Sequence, residues 1–412
     1  MFIQKLGLKN FKCFKEVDVD FSKITLLTGE NSSGKSSFLY GLLAPLQSIH
    51  MTGESFPLHL ALNGEYVNMG GFEDSSFNHN LKNQIAINLT ISKNVDSPSI
   101  FFDTSWFFDL INKSPRLRHS RVTRKNIDQR IFLMSVSMSE NQLYILEMNK
   151  ELYVDKIHEQ TFIDQTPEKI TTFFWNCGIT SYEDSDLIDI NTFNFISSFR
   201  FQPDRTYYQS STNNKVDKFG NGYIDQILKW SDTQSKELTR LVSILKELGM
   251  VYDIKPHRLS GGRFEIKVKV KKQSKWESLA DVGFGTSQFM PIIVADLQLS
   301  DESTLIMCQP EIHLHPSIQA NLGDYLVKQV NEKKKQYIVE THSEYLLNRI
   351  RLLIVKGEIE PEDVAVYYFE NSVKEGSVTH RIEFTKDGQI LNAPRGFFET
   401  YMIDTMDIAL NA

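Results

Sequence analysis

The sequence predicts an α/β fold with a mixed β-sheet core and an inserted, mostly β or irregular lobe. Three observations carry this. Short apolar runs alternate with helical stretches at both ends of the chain. Glycine-rich turns join strand to helix at two places. The long middle of the chain holds β-like runs and no sustained heptad. Strands separated by helices imply a parallel sheet covered on its faces, because a parallel crossover needs a dozen or more residues.

Taken in order, Phe2 to Leu8 alternates apolar and polar residues, Val17 to Phe21 does the same, and Ile24 to Leu27 is a short buried-type run. A glycine-rich turn follows, then a helical stretch from Lys35 to about Ile49. Between about 65 and 200, runs at Ile85–Ile91, Ile131–Val136 and Leu143–Glu147 mix with aromatic clusters, and this reads as the inserted lobe. Helical spacing returns at Leu238, Leu241, Val242, Ile244, Leu245 and Leu248. The strand-like Phe264 to Val270, a second turn at Gly283-Phe284-Gly285 and a helical stretch from Ser287 to Leu299 come next. Strands at Leu305–Met307 and Gln336–Val339 then alternate with helices from about Pro316 to Gln329 and Glu344 to Ile354. The expected organisation is residues 1–75 and 196–385 as two halves of one head, 76–195 as the lobe between them, and 386–412 as a closing segment.

Composition bounds the partners. At 412 residues, with 41% hydrophobic and 24% charged residues and no low-complexity tract, the chain is globular and large enough for an elaborated core. Cys13, Cys177 and Cys308 are too few and too scattered for a disulfide framework, which fits a reducing compartment. Met1 to Asn10 lacks a signal-like pattern, and no apolar run reaches the roughly 18 residues needed to span a bilayer. A cytoplasmic protein without a membrane partner is expected. The net charge of −7 argues against a surface that is basic overall. Two stretches depart from it: Lys113 to Arg130, with Arg116, Arg118 and Arg121 at its centre and Asp128 its single acid, and Lys267, Lys269, Lys271, Lys272 and Lys275. Each is read two ways, as a track for a phosphate backbone or as a solvated loop and a solvated strand face.

The most specific signal is Gly29-Glu30-Asn31-Ser32-Ser33-Gly34-Lys35-Ser36, which matches G-x-x-x-x-G-K-[ST] between a β-run and a helix, with Ser37 next. The glycines let successive backbone N–H groups face a phosphate chain, and the helix start adds its positive dipole end. Lys35 supplies a charge for the β- and γ-phosphates, and the Ser36 hydroxyl is placed to ligate Mg²⁺. ATP and Mg²⁺ are the expected ligands.

Further motifs follow in order: Asp281-Val282-Gly283-Phe284-Gly285-Thr286-Ser287-Gln288, Leu305 to Glu311, His313-Leu314-His315-Pro316, and Glu340-Thr341-His342-Ser343. Phe199-Arg200-Phe201-Gln202-Pro203-Asp204-Arg205 precedes them, and Asp387 to Ile390 and Pro394 to Glu399 close the chain. As an ordered set over about 1–75 and 195–400, these resemble ABC-type ATPases of the SMC and OLD group, the bacterial branch with a short closing motif. The resemblance implies ATP held between two copies of the chain. One copy supplies the phosphate loop, and the other supplies Gly283, Gly285, Ser287 and Gln288 as the signature loop. It also implies His342 as a γ-phosphate switch.

Two look-alikes are set aside. Leu259-Ser260-Gly261-Gly262 spells the start of an ABC signature but lies between strand-like runs, so it reads as a hairpin turn. His313, His315 and His342 lack the ligand set a zinc site needs.

One departure stands out. A Walker B strand normally ends in a carboxylate for Mg²⁺ and a second acid that orients water; those places hold Cys308 and Gln309. A thiol is a soft, poor Mg²⁺ ligand, and glutamine cannot take a proton near neutral pH. Glu311 is the nearest acid and the candidate replacement. Tight ATP binding with slow hydrolysis is therefore expected.

The leading functional expectation is an ATP-driven switch that controls a separate nuclease or toxin effector in bacterial anti-phage defence. The alternative is a DNA-repair ATPase of the RecF or SMC kind acting directly on DNA, and the basic stretches leave DNA or RNA open as a partner. A transporter subunit fits least, given the large β-like insertion.

Overall fold

The computed structural model describes residues 1–52, 60–111, 113–125, 130–138, 144–149, 158–163, 192–209, 215–372, 374–394 and 397. Cys177, Asp128 and most of the closing segment, Arg395, Gly396, Phe398 and Glu399 included, lie outside the described residues. The chain divides into two compact units: unit 1 holds Met1–Phe21, Glu30–Ile190 and Phe369–Thr379, and unit 2 holds Ser22–Gly29, Asn191–Tyr368 and His380–Ala412.

Unit 1 is an antiparallel array followed along the chain. Its strands run in the order β2 (Phe14–Asp20), β1 (Phe2–Phe11), β4 (Ile85–Ser92), β5 (Ser99–Asp109), β6 (Ser114–Lys125), β7 (Arg130–Met138), β8 (Tyr144–Asn149) and β9 (His158–Ile163). Period-2 patterning sets the register: Leu6 faces Leu89 and Leu8 faces Ile87 on the buried side, while Lys5 and Lys9 fall on the other. Helix α1 (Lys35–Thr52) packs on β1, where Gly41 lets the backbone approach the Leu8 side chain closely.

Unit 2 holds the parallel sheet, in the order β10 (Phe193–Ile196), β15 (Thr304–Cys308), β16 (Gln336–Glu340) and β3 (Ile24–Gly29), with β17 (Val364–Ser372) entering it through Val364–Tyr368. All residues of β3, β15 and β16 are buried, which explains why they read as unbroken apolar runs. Helices α2 (Tyr223–Asp232), α3 (Lys236–Glu247), α4 (Phe284–Gln298), α5 (Pro316–Lys333) and α6 (Glu344–Val355) belong to this unit. A small second sheet holds β11 (Tyr207–Tyr208), β12 (Asp253–Arg258), β13 (Arg263–Lys269) and β14 (Glu277–Ser278). The last strands are β18 (Gly376–Phe384) and β19 (Ile390–Leu391). With parallel strands in one unit and antiparallel strands in the other, the architecture is mixed α/β, as the sequence predicts.

A buried polar cluster fixes α4 within unit 2. Asp296 is fully buried and accepts from Lys335 Nζ at 3.0 Å, from the Tyr337 hydroxyl at 3.1 Å and from the Tyr325 hydroxyl. A charge pair at this depth holds only because its remaining lone pairs are also satisfied.

The look-alike Leu259 to Gly262 is the expected turn: β12 and β13 pair antiparallel around it, and Gly261 and Gly262 both take φ +74°.

The stretch around Arg116 corrects one expectation. It is strand β6, not a loop, with Leu117 and Val122 buried. The register with β5 slips by one residue between Leu117 and His119, which leaves Arg118 as an exposed bulge. Arg116 pairs with Asp109 at 3.2 Å, and Arg121 is exposed. In the second basic stretch Lys267 and Lys269 lie on β13, with Lys267 3.1 Å from Glu265, and Lys271, Lys272 and Lys275 occupy the exposed turn after it.

Candidate functional site

In unit 1 the phosphate loop runs from Glu30 into α1, continuing the chain from Gly29 at the end of β3 in unit 2. Gly34 takes φ +100°, and a Cβ there would sit 2.7 Å from both Cys13 Sγ and Ser377 Oγ and 2.9 Å from Phe14 Cζ. Only glycine satisfies both the backbone conformation and the space. Ser32 also takes a positive φ, 62°, and its carbonyl accepts from Asn371 Nδ2 at 3.0 Å, which holds the loop's curl. Asn31, Ser32 and Ser36 are exposed, Ser37 is half-buried and Ser33 is buried. The Lys35 ammonium is buried and donates to the Glu30 carbonyl at 2.6 Å, so it lies across the loop's own backbone. The first turn of α1 contains no acid, which leaves the positive helix end uncompensated by its own side chains. A loop of this geometry fits a phosphate chain.

In unit 2 three parallel strand ends lie side by side. Cys308 of β15 pairs with Glu340 of β16, and Glu340 pairs in turn with Leu27 of β3; the Thr341 N–H donates to the Leu27 carbonyl at 2.9 Å. Ligands of α/β sheets gather at such carboxyl ends. The Cys308 thiol is buried and donates to the Glu340 carboxylate; burial first, and that carboxylate second, push its pKa well up. It is therefore a neutral thiol at physiological pH, which fits a Mg²⁺ ligand badly. Glu340 and Glu311 are the carboxylates beside it, and their oxygens are of the hard kind.

Beyond β15 the chain turns tightly through Gln309, at φ 46°, whose N–H donates to the Glu340 carbonyl at 2.6 Å. This places the buried Glu311 below β16. Its Oε1 accepts from the His342 N–H at 2.7 Å, while Oε2 has no hydrogen-bond partner among the described residues. Burial is the largest influence on this carboxyl and raises its pKa, against the opposing backbone hydrogen bond from His342. A carboxyl shifted upward by burial is a stronger base than an ordinary one.

Arg200 closes the arrangement. Its guanidinium donates to the carbonyls of Cys308 and Gln309, both at 3.2 Å, and to that of Ser197 at 2.8 Å. Burial lowers its pKa to about 10, and it remains charged. Neither Arg200 nor Glu340 has a role assigned by sequence, although both stand inside the motifs quoted above. The available signal for Glu340 was a single polar residue ending an apolar run, one position before Thr341.

The histidines have local explanations. His315 caps α5, its ring accepting from the Ser317 N–H at 3.3 Å ahead of Pro316 in the first turn. His313 packs its ring edge-on against Phe284 at 4.7 Å. His342 is exposed just past β16, and Ser343 caps α6.

The second glycine turn starts α4. Gly283 is exposed, with open space where a Cβ would be, whereas a Cβ on Gly285 would lie 2.4 Å from the His313 carbonyl oxygen. Ser287 and Gln288 are buried: the Ser287 hydroxyl donates to the Phe284 carbonyl and Gln288 Nε2 donates to the Phe201 carbonyl, both at 2.9 Å. The structure thus gathers Cys308, Gln309, Glu311 and His342 with Arg200 and Glu340, and it gives Gly283 and Gly285 different environments.

Comparison with known proteins adds the following. A family model described as "AAA ATPase domain" matches residues 1–347, and one described as "Protein of unknown function (DUF3696)" matches residues 359–408. No curated protein matches. Among solved structures, the SMC head domain from Thermotoga maritima is similar at 12% identity and TM-score 0.40, over 92% of this chain and 98% of that one. An SmcHead bound to the C-winged helix domain of ScpA gives 14% and 0.45, over 94% and 99%. An Smc head domain with an extended coiled coil, bound to the C-terminal domain of ScpA derived from Pyrococcus furiosus, gives 12% and 0.41, over 99% of both chains.

Proposed function

The chain belongs to the AAA ATPase domain family, and on that premise we propose that it is a slow ATP-driven switch, whose long-lived ATP-bound state acts on a partner. The observation that carries this reading is the acid arrangement at the ends of β15 and β16. The two usual acid places hold a neutral thiol and an amide, and the carboxylates come instead from Glu340 and Glu311.

Each residue then has a role. Gly29 to Ser37 hold the phosphates through backbone N–H groups and Lys35. Within unit 1 the Ser36 hydroxyl is the oxygen ligand for Mg²⁺, which when bound would neutralise phosphate charge, and within unit 2 the Glu340 carboxylate offers a hard oxygen. Glu311 is the base for the attacking water, Gln309 orients that water by hydrogen bonds, and His342 senses the γ-phosphate. Arg200 is a positioning residue that fixes the carbonyls of Cys308 and Gln309.

We propose further that two copies pair around ATP. Gly283 and Phe284, the exposed start of α4, meet the other copy's nucleotide, while Gly285, Ser287 and Gln288 hold that turn in shape from within. The partner is a separate effector, a nuclease or toxin of bacterial anti-phage defence; the order of motifs supports this, and pull-down of the associated protein checks it. Direct action on nucleic acid in repair is the second reading, favoured by the exposed Arg118 and Arg121 on β6. It requires salt-sensitive DNA binding that weakens on reversing those charges.

Nucleotide titration and single-turnover kinetics test the main reading. Lys35→Ala should bind ATP at least tenfold more weakly while folded. Turnover in the unmodified protein at tens per second, the range common to ATP-using enzymes, would overturn the slow switch.

A further inference from the structure

Within unit 2, a cavity of about 1010 Å³ opens beside the first turn of α4; it shares Arg200, Phe284 and Gln288 with the proposed ATPase machinery, which assigns no role to Phe199, Phe201, Phe219 or Tyr223 in its lining. Its walls are aromatic. Phe199 and Phe201 are 65% and 49% exposed, and with Phe219 they form a triangle of steeply inclined rings with centroids 5.5 to 6.1 Å apart. Large rings left in solvent around a concave surface mark a binding site better than a core.

Its lining is also polar in a specific way. Arg200 and Tyr223 line the cavity, are only 4% and 7% exposed, and come from different elements. Neither Arg200 Nε nor the Tyr223 hydroxyl has a hydrogen-bond partner among the described residues. Buried donors without acceptors are destabilising, and an arriving acceptor removes that penalty. The exposed Asp204, also in the lining, offers an acceptor at the rim.

We propose that this cavity is a second ligand site and that it takes a nucleobase. A base has a flat π-face for Phe199 and Phe201, ring nitrogens and carbonyls that accept from Arg200 and Tyr223, and exocyclic amino groups for Asp204. An aliphatic side chain would fill the aromatic walls but leave both donors unmet. An inorganic anion would meet the donors but leave the rings in water.

The site is wired to the ATPase end of unit 2. Arg200 grips the carbonyls of Cys308 and Gln309 with its terminal nitrogens, so a base accepted by Nε pulls on the group that shapes the end of β15. Gln288 bonds the Phe201 carbonyl and so ties the aromatic wall to α4. The base arrives either on a free nucleoside or nucleotide, or within single-stranded nucleic acid.

The test uses the full-length Lys35→Ala protein, so that the phosphate loop does not report. The probes are 2-aminopurine riboside, which has no phosphate, and a ten-nucleotide single strand carrying one 2-aminopurine. Stacking quenches the fluorescence of this base. Saturable quenching is expected, weakened about tenfold by Phe201→Ala and several-fold by Tyr223→Phe. If Phe201→Ala melts early, Tyr223→Phe carries the test, since it removes only an unpartnered hydroxyl. Equal affinity for both probes assigns the site to free nucleosides and nucleotides. A tighter, salt-sensitive affinity for the strand assigns it to nucleic acid. No saturable quenching with either probe, or quenching that neither substitution changes, overturns the proposal. So does probe binding that disappears as the protein self-associates, which would give the cavity to a second copy of the chain.

Discussion

Glu311 Oε1 accepts a 2.7 Å hydrogen bond from the backbone N–H of His342, so one buried carboxylate ties the turn after β15 to the turn after β16. The same side chain keeps Oε2 without a hydrogen-bond partner among the described residues. One oxygen holds the architecture, and the proposed function uses the other as the base. Glu311→Gln separates the two, because an amide oxygen can keep the bond to His342 while the group loses its basicity. Hydrolysis should fall by roughly a hundredfold or more, the scale of a lost general base, while ATP affinity changes little. Single-turnover kinetics beside nucleotide titration checks this. Unchanged turnover would remove Glu311 from the reaction.

The same carboxyl gives a pH dependence. Its pKa is raised in the folded chain above the ordinary value of 4.5, chiefly by burial. Between the two values the native state keeps a proton that the unfolded state has released, so stability falls as pH rises through that interval. Above the raised value the loss is complete and constant. Glu311→Gln abolishes this contribution. Relative to the unmodified protein, the variant should gain melting temperature from about pH 4.5 upward, in nucleotide-free buffer, and then level off. A difference that shrinks with rising pH would contradict the assignment.

Much of this was legible in the residues, for physical reasons. β3, β15 and β16 are buried on both faces and so appear as plain apolar runs, and the phosphate loop needs residue types that few other structures require. The hairpin at Gly261 and Gly262 followed from two glycines between strands. What sequence could not give was lateral neighbourhood. Glu340 becomes a candidate ligand only because β16 lies between β15 and β3, which sets it against Cys308. Arg200 is over a hundred residues from the carbonyls it holds, and no local pattern encodes that contact. Strand β6 failed as a loop reading because its basic residues outnumber the buried Leu117 and Val122 that place it in a sheet.

The Cys308–Glu340 pairing makes its own prediction. Cys308→Asp would set a second carboxylate against Glu340 at a buried strand end, where like charges are costly unless a cation or a proton intervenes. The variant should melt several degrees lower than the unmodified protein in chelator. Mg²⁺ with ATP should restore much of that difference, and hydrolysis should quicken if a first acid is what the site lacks. Cys308→Ser, which adds no charge, should show neither effect. Melting curves with and without Mg²⁺ decide the matter: a Cys308→Asp protein indifferent to the cation would show that these strand ends do not hold it.

The two glycines that begin α4 should respond oppositely to substitution. At Gly285 a methyl group would lie 2.4 Å from the His313 carbonyl oxygen, and backbone at that distance cannot swing aside. Gly285→Ala should therefore cost about 1–3 kcal/mol of stability, the usual scale of overpacking. At Gly283 the corresponding space is open, φ is −49°, and the residue caps a helix whose first turn carries no acid. Gly283→Asp supplies both a side-chain cap and a negative charge at the positive helix end, so the folded chain should be as stable or slightly more so. The same charge would face the phosphates of a second copy if the turn acts across a pair. Gly283→Asp should then lose ATP-dependent dimerisation while its melting temperature holds or rises. Sedimentation with and without Mg·ATP, run beside thermal melts, reads both quantities. A Gly283→Asp protein that still pairs on ATP would place the interface elsewhere, and a loss of pairing that came with a lower melting temperature would trace to the fold rather than the contact.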